Sequence, residues 1–532
     1  LRDTSAPAAE QVTDGFVIDS LEVEMNGHTT SPDHLVNDTR MQIRLSQPIP
    51  HGGQIKIHIR YHYTVPGKWG NRTTWGMSKN GPIYDIAQWY PRMAVYDDLR
   101  GWNTLPFIGN EFYLEYGNFD YYVTVPANMI VAGSGELVNP QDVLTETEID
   151  RLHQAHDSDK TIYIRTPREA LSGAGRPKNS GTLTWHFHMD HTRDVSWAAA
   201  PDFVWDAARI NLPDNKSALA MSVYPPESAE TWKDSTAYVK DTVERFSRQW
   251  YPYPWPNAIN VGGFTDGMEY PGIVFDTYTD KGKLLFWVTA HEIGHDWFPM
   301  VVGSNERRHA FMDEGFNTFI DIGESADYDH GKFGPKRDSE YSPGGEPADT
   351  ILKVLDNPQA PTLMALADSY SETLLHPVSY FKAAYGMVLL RDDILGPERF
   401  DWAFRKYIRD WAYKHPAPSD FFREMSSAGG EDLDWFWRGW YFNNWKYDVA
   451  ADKINGSTIT LSNRGQLVLP TTVQVNFKDG TSTRLRLPVE VWMTKGTYTW
   501  TPDNKSGVES VIVDPDHLLP DNNRGNNSMK AP

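Results

Sequence analysis

Cysteine is absent from all 532 residues. That excludes a disulfide framework, a thiolate metal site and thiol catalysis, so a metal in this chain must sit on His, Asp and Glu. No apolar run is long enough to span a membrane. No polybasic stretch is present to neutralise phosphates, and the formal net charge of -21 argues against a nucleic-acid partner. The same charge serves solubility and is compatible with a cationic ligand, such as the α-ammonium group of a peptide. Internal repeats are absent. The chain begins with Leu1 rather than Met and carries no signal-peptide pattern, so we expect a processed or truncated product, with export to the periplasm or medium favoured over the cytoplasm.

What is present reads as several domains. Hydrophobic residues make up 40% and charged residues 23%, the profile of a globular protein, and 532 residues exceed one ordinary core. Residues 1–205 read as an all-β domain: Gln54-Ile-Lys-Ile-His-Ile-Arg-Tyr-His-Tyr-Thr64 alternates, and Tyr121-Tyr-Val-Thr-Val125 is a second strand. Residues 66–82, rich in Gly and polar side chains, read as a mobile loop. Residues 206–446 form a mainly helical catalytic domain, with Val239, Val243 and Phe246 on one side of a helix. Residues 328–349 read as an exposed connection. Residues 447–520 return to strand and turn and predict a small β-sandwich, in which 471–477 and 483–487 make a hairpin around Lys478-Asp-Gly480. The polar stretch 521–532 is expected to be a disordered tail. The fold class is multidomain α+β.

The strongest chemical signal is Thr289-Ala-His291-Glu292-Ile-Gly-His295-Asp-Trp-Phe298. Two His four residues apart lie on one face of a helix, so both imidazoles reach one ion. Glu292 can approach a water held by that ion without ligating it, as a general base. Leu284, Trp287, Val288, His291 and His295 fall on one stripe, which predicts that the ligands continue a buried face. A catalytic zinc takes three protein ligands and keeps one open position. Glu314 fits as the third: it follows His295 after eighteen residues, inside Phe311-Met-Asp-Glu314-Gly-Phe-Asn-Thr-Phe319. Asp321, seven residues on, either orients a ligand His or is a solvated or capping carboxylate.

These residues resemble the aminopeptidase N and leukotriene-hydrolase family of gluzincin zinc peptidases. Asp313-Glu314-Gly315-Phe316 is similar to that family's Asn-Glu-Gly-Phe segment, with Asp in place of Asn. Asp266-Gly267-Met268-Glu269-Tyr270 resembles its Gly-x-Met-Glu-Asn segment, departing at Asp266 and Tyr270. Tyr380-Phe-Lys382 opens a helix running to Leu395-Gly396-Pro-Glu398 and resembles the family's Tyr-x-Lys-Gly helix, with Ala383 in place of Gly. Pro91-Arg-Met-Ala-Val-Tyr-Asp97 looks like part of the family's N-terminal β-domain.

The resemblance implies a thermolysin-like catalytic domain with one Zn2+ on His291, His295 and Glu314. It implies Glu292 as base, Tyr380 as hydrogen-bond donor to the oxyanion, and Glu269 as the anchor for a substrate's free α-amine, with Gly267 and Met268 beside it. Tyr385 competes with Tyr380 for the oxyanion role. A second amine-binding residue from the N-terminal domain would be Asp85 or Gln88. The expected activity is that of an aminopeptidase on peptides with a free N-terminus. Further strands are expected before Leu1. The family's large helical C-terminal domain has no counterpart in the stretch after Asn444, which leaves either an open site or one covered by another copy of the chain in a homo-oligomer. Two other readings stand beside this one: an endopeptidase or other hydrolase on the same zinc site, and a catalytically inactive binding scaffold.

Overall fold

The computed structural model describes residues 13–67, 72–108, 111–178, 180–337 and 340–532. The chain divides into two compact units, Leu1–Gly303 and Ser304–Pro532. This division corrects the expected domain limit at 205/206, which falls inside the strand Val204–Asn211. That strand is held on one side by Ile162–Arg165 and on the other by Ser217–Tyr224, so long-range pairing recruits a strand from the expected N-terminal domain into the sheet that follows. No helix among the described residues is long and apolar enough to cross a membrane.

The first unit is not all-β. Short helices occupy Pro140–Val143 and Pro167–Ser172, and a longer one Glu146–His156. Two of them start at capping boxes, Thr145 with Glu148 and Thr166 with Glu169, in which each Thr hydroxyl accepts the N3 backbone N–H and the Glu reaches back to the cap N–H. Part of the expected loop 66–82 is also ordered as a hairpin, Thr73–Met77 against Pro82–Ile86, whereas 68–71 lie outside the described residues.

A six-stranded sheet carries the chemistry. Its order is Ile162–Arg165, Val204–Asn211, Ser217–Tyr224, Asn257–Gly263, Ile273–Thr277 and Met268–Tyr270. The run from Ser217–Tyr224 through Asn257–Gly263 to Ile273–Thr277 is parallel. Parallel neighbours need a crossover, and the helix Ser235–Gln249 supplies the first, burying Val239, Val243 and Phe246 as its sequence predicts. Met268–Tyr270 is antiparallel to Ile273–Thr277 and forms the edge of the sheet.

The helix Gly282–Gly294 follows. Its predicted stripe is not how it packs: Leu284 is 53% exposed, while Leu285, Phe286, Trp287, Thr289 and Ala290 are all buried. From Leu285 onward the helix runs through the core instead of lying on it, so burial is not confined to one face.

A buried polar chain ties this helix to the sheet. Thr289 Oγ1 donates to Asp276 Oδ2 at 2.8 Å. Asn260 Nδ2 lies 2.8 Å from both Asp276 Oδ2 and Thr289 Oγ1, and 3.2 Å from Ser235 Oγ. Ser222 donates to Ser235, and Thr236 bridges Ser222 to Asp206. Tyr224 donates to the other oxygen of Asp206 at 2.6 Å. Burial pushes both carboxyls up to about 7, against the pull of these donors.

In the second unit the helix Glu314–Asp327 buries Phe316 and Phe319 among Phe400, Phe404, Tyr407 and Phe421. The expected exposed connection 328–349 is partly interior, since Lys336, Tyr341 and Ser342 are buried. The last region holds two sheets. One is Val449–Asn455, Thr458–Asn463 and Thr497–Trp500; the other is Ser482–Leu487, Thr471–Phe477, Val508–Val513 and Ser528–Lys530. Thr471–Phe477 and Ser482–Leu487 pair as a hairpin, with Gly480 at a φ of +81° in its turn. The expected disordered tail is corrected: Ser528–Lys530 pairs with Val508–Val513, gaining backbone hydrogen bonds that its polar composition does not announce.

Folded Asp206 and Asp276 hold their protons more tightly than the unfolded chain does. The stability they contribute is complete below the ordinary value of 3.8 and is lost as pH rises through about 7. Asp276→Asn keeps the buried group neutral at every pH. The melting temperature of the variant is therefore expected to fall less than that of the unmodified chain between about pH 5 and pH 8, as read by thermal unfolding. Parallel curves would contradict this.

Candidate metal centre and substrate anchor

His291 and Glu292 lie in the last turn of the helix Gly282–Gly294, and His295 caps it. The two imidazoles are buried, and their Nε2 atoms are 3.1 Å apart. His295 Nδ1 lies 2.8 Å from the carbonyl of Phe298. A carbonyl only accepts, so the Nδ1 proton is engaged there and Nε2 of His295 presents its lone pair toward His291. Two nitrogens bound to one tetrahedral zinc at about 2.0–2.1 Å stand about 3.3 Å apart. The observed pair fits that requirement, and the donor set of imidazole nitrogens suits zinc.

The chain after His295 is folded to make that hydrogen bond. Residues Asp296–Val301 form a wide turn in which Phe298 leaves the helical region, at φ -134° and ψ 104°. Asp296 is buried and accepts from the backbone N–H of Gly272 at 3.0 Å and from the Tyr253 hydroxyl at 3.3 Å. Its carboxyl is pushed up to about 8 by burial. Gly272 lies in the turn between Met268–Tyr270 and Ile273–Thr277, so Asp296 clamps the end of the helix Gly282–Gly294 to the strand that carries Glu269.

That strand brings the predicted anchor to the helix. Ligand-type atoms of Glu269, Glu292 and His295 all lie within 4.8 Å of one another, and all three residues are buried. Gly267 has a φ of +62°, and a Cβ added there would sit 2.8 Å from Glu292 Oε1. Glycine is thus favoured by its backbone conformation, and a side chain there would displace the Glu292 carboxylate. Met268 is buried beside it and receives a contact from Arg72 Nη1. Arg72 also pairs with Glu111 at 2.7 Å and feels the charge of Glu269.

The two residues predicted as amine partners behave differently. Asp85 is buried and accepts from the backbone N–H of Phe264 at 2.7 Å and of Thr265 at 3.0 Å. Burial pushes it up to about 6, and it shapes the bend leading into Asp266-Gly267. Gln88 has a φ of +50°, an uncommon conformation for a side chain-bearing residue. Its Nε2 lies 3.4 Å from the Tyr270 hydroxyl, and its Oε1 accepts from Arg92 at 3.2 Å. Gln88 is therefore held beside the anchor strand, whereas Asp85 is engaged with backbone.

In the second unit Glu314 opens the helix Glu314–Asp327 and is buried. Gly315, next to it, is required by packing: a Cβ there would meet that of Ala383 at 2.2 Å. The Ser379 carbonyl would also lie 2.8 Å from such a Cβ, so the segment His376–Lys382, which carries Tyr380, seats closely against the Glu314 helix. Tyr380 lies in a wide helical turn rather than at a helix start, and its ring is 4.4 Å from that of His376. The competing Tyr385 donates its hydroxyl to the Leu518 carbonyl at 2.7 Å and is occupied with structure. Asp321 is 2% exposed and paired with Lys336 Nζ at 3.0 Å, so it is neither a solvated nor a capping carboxylate.

Sequence reasoning missed Asp296, Arg72 and the Asn260–Asp276–Thr289 chain. Asp296 follows the motif directly, but nothing in its spacing names Gly272 as its partner, and Arg72 reaches its contacts across 39 and 196 residues.

Two imidazoles one helical turn apart, with a carboxylate between them in sequence and another on a neighbouring edge strand, form a donor set of the kind that holds zinc. Residues 236–440 match the peptidase family M1 domain. Aminopeptidase M1-D of Oryza sativa subsp. japonica is 24% identical over 262 residues, which is 43% of this chain and 28% of that protein. Endoplasmic reticulum aminopeptidase 2 of Homo sapiens is 25% identical over 241 residues, 40% of this chain and 23% of that one. The solved structure of Legionella pneumophila aminopeptidase A in complex with aspartic acid superposes with a TM-score of 0.59 at 12% identity, over 95% of this chain and 54% of that one. The matches thus span less than a third of these two curated relatives and about half of the solved one.

Because a methyl group at position 267 would press on Glu292, Gly267→Ala is expected to lower kcat/KM on peptides by about tenfold to a hundredfold, with zinc content unchanged. Steady-state kinetics beside metal analysis would show it, and full activity in the variant would contradict it.

Proposed function

We propose that this chain is a zinc-dependent aminopeptidase that hydrolyses the N-terminal residue from peptides. His291, His295 and Glu314 would hold the ion, on a thermolysin-like catalytic fold. The observation that carries the reading is the gathering of Glu269, Glu292 and His295 within 4.8 Å, which sets an amine-binding carboxylate beside a base and a ligand. The M1 family match and the aminopeptidase relatives support it.

Zinc, when bound, supplies a Lewis acid for the scissile carbonyl and lowers the pKa of water. The chain's own residues do the remainder. Met268–Tyr270, as an edge strand, can accept an extended peptide by strand addition. Glu269 pairs with the α-ammonium group, and Gln88 assists it from the N-terminal side. A fixed amine anchor sets the scissile bond one residue away, which makes the enzyme an exopeptidase. Glu292 accepts a proton from the attacking water and returns it to the leaving amine. Tyr380 donates a hydrogen bond to the carbonyl oxygen as its charge develops. Asp321 supports a ligand His from behind.

The test is a pair of peptides that differ only in an N-terminal acetyl group, given to the unmodified chain and to Glu292→Gln. The unmodified chain is expected to cleave the free peptide and leave the acetylated one intact. Glu292→Gln is expected to lose turnover while keeping its zinc, as measured by elemental analysis. Equal cleavage of both peptides would remove the amine anchor, and an active variant would remove the base.

A further inference from the structure

The strand Thr182–Thr192 is followed by two buried charged residues, Arg193 and Asp194, in the short link to the strand Trp197–Ala200. Arg193 is 1% exposed. It donates from Nη1 to the Pro299 carbonyl at 2.7 Å and from Nε to the Leu114 carbonyl at 3.3 Å. Pro299 follows Phe298, whose carbonyl lies against His295 Nδ1. The proline ring fixes φ at 299. A hold on the Pro299 carbonyl therefore limits how far the preceding peptide unit, with the Phe298 carbonyl, can turn. Tyr116 adds a second hold, with its hydroxyl 2.9 Å from the Val301 carbonyl and 3.1 Å from that of Met300. Asp296 fastens the start of the turn Asp296–Val301, and Arg193 and Tyr116 fasten its end.

Asp194 serves the other half of the site. Its Oδ1 accepts from the Tyr90 hydroxyl at 2.6 Å and from the backbone N–H of Val195 at 2.9 Å, and its Oδ2 accepts from Arg92 Nη1 at 3.0 Å. The same guanidinium donates through Nη2 to Gln88 Oε1 at 3.2 Å. Arg92 also lies over the Phe112 ring at 5.3 Å, and Phe112 stacks on Tyr270 at 5.6 Å. A guanidinium presents its N–H donors in a fixed planar fork, so anchoring one nitrogen on Asp194 aims the other at Gln88. A buried charge is costly unless its hydrogen bonds are made. Here one such charge is spent on the turn beside His295 and the other on the arm that reaches Gln88.

We propose that Arg193 and Asp194 are paired positioning residues, Arg193 for the ligand His295 and Asp194 for the amine partner Gln88. The inference rests on the zinc aminopeptidase reading above. Each residue acts through another: Arg193 through Pro299 and the Phe298 carbonyl onto His295 Nδ1, Asp194 through Arg92 onto Gln88. A ligand His whose outer N–H rests on a fixed carbonyl keeps its tautomer and ring orientation, and losing such support weakens metal binding by about tenfold to a hundredfold. The two lines of contact part at adjacent residues, so they predict separate effects, one on the ion and one on the amine.

The experiment is competition titration of Zn2+ against a chelator, beside steady-state kinetics on a peptide with a free N-terminus. It compares the full unmodified chain with Arg193→Met, Arg193→Lys, Tyr116→Phe, Asp194→Asn and, as reference, His291→Ala. Arg193→Met is expected to bind Zn2+ about tenfold to a hundredfold more weakly and, once saturated with the ion, to keep its KM. Arg193→Lys keeps a donor for the Pro299 carbonyl and is expected to recover part of the loss. Tyr116→Phe removes only a hydroxyl and is expected to weaken Zn2+ binding in the same sense, which reads the turn even where Arg193→Met does not fold. Asp194→Asn is expected to raise KM by about threefold to tenfold with Zn2+ affinity unchanged. A merely structural role would move affinity and KM together in both positions, and that result would overturn the proposal. So would Zn2+ affinities of Arg193→Met and Tyr116→Phe equal to that of the unmodified chain, with His291→Ala alone weakened; the zinc reading would then stand. An unmodified chain that binds Zn2+ no better than His291→Ala would overturn both.

Discussion

The hydrogen bond between His295 Nδ1 and the Phe298 carbonyl governs the site. It fixes the proton on the outer nitrogen and turns the other lone pair inward, 3.1 Å from His291 Nε2. A buried nitrogen pair at that distance is satisfied by a proton or by a cation between them, and the choice sets the chemistry. The helix alone does not make this arrangement. It needs the chain to leave the helical region at Phe298, and Asp296 to hold the departing turn against Gly272.

From that bond the structure can be followed outward. Asp296 joins the helix Gly282–Gly294 to the turn after Met268–Tyr270, and this strand brings Glu269 to Glu292 and His295. Thr289, two residues before His291, joins the same helix to Asp276 and Asn260 beneath it. Both fastenings use buried carboxyls raised by burial, to about 8 at Asp296 and about 7 at Asp276. Neutral buried carboxyls keep hydrogen-bonding capacity without the cost of a buried charge.

Much of this was legible in local spacing. The two His and the Glu between them require only helical periodicity, and the hairpin 471–487 requires only alternation and a Gly in its turn. Gly267 was legible as part of a resemblance, but its reason, the Glu292 carboxylate pressed against it, is tertiary. The N-terminal helices were signalled by Thr145 with Glu148 and Thr166 with Glu169, signs outweighed by the surrounding strands. The limit near 205 was misread because Ile162–Arg165 pairs with Val204–Asn211 across an intervening helix and two strands, Pro167–Ser172, Thr182–Thr192 and Trp197–Ala200. Leu284 was misread because a helix buried on most sides no longer sorts its residues into one inner stripe. Asp85 illustrates a further limit: a carboxylate near an anchor can serve the substrate or the backbone, and only its donors at 264 and 265 decide which.

The proposed function requires His291, His295 and Glu314 to hold one ion. Anomalous diffraction at the zinc edge from crystals of the metal-loaded chain tests this directly. The predicted result is a peak bonded to both Nε2 atoms and to Glu314. A peak at the two imidazoles without Glu314, or none there at all, would contradict it.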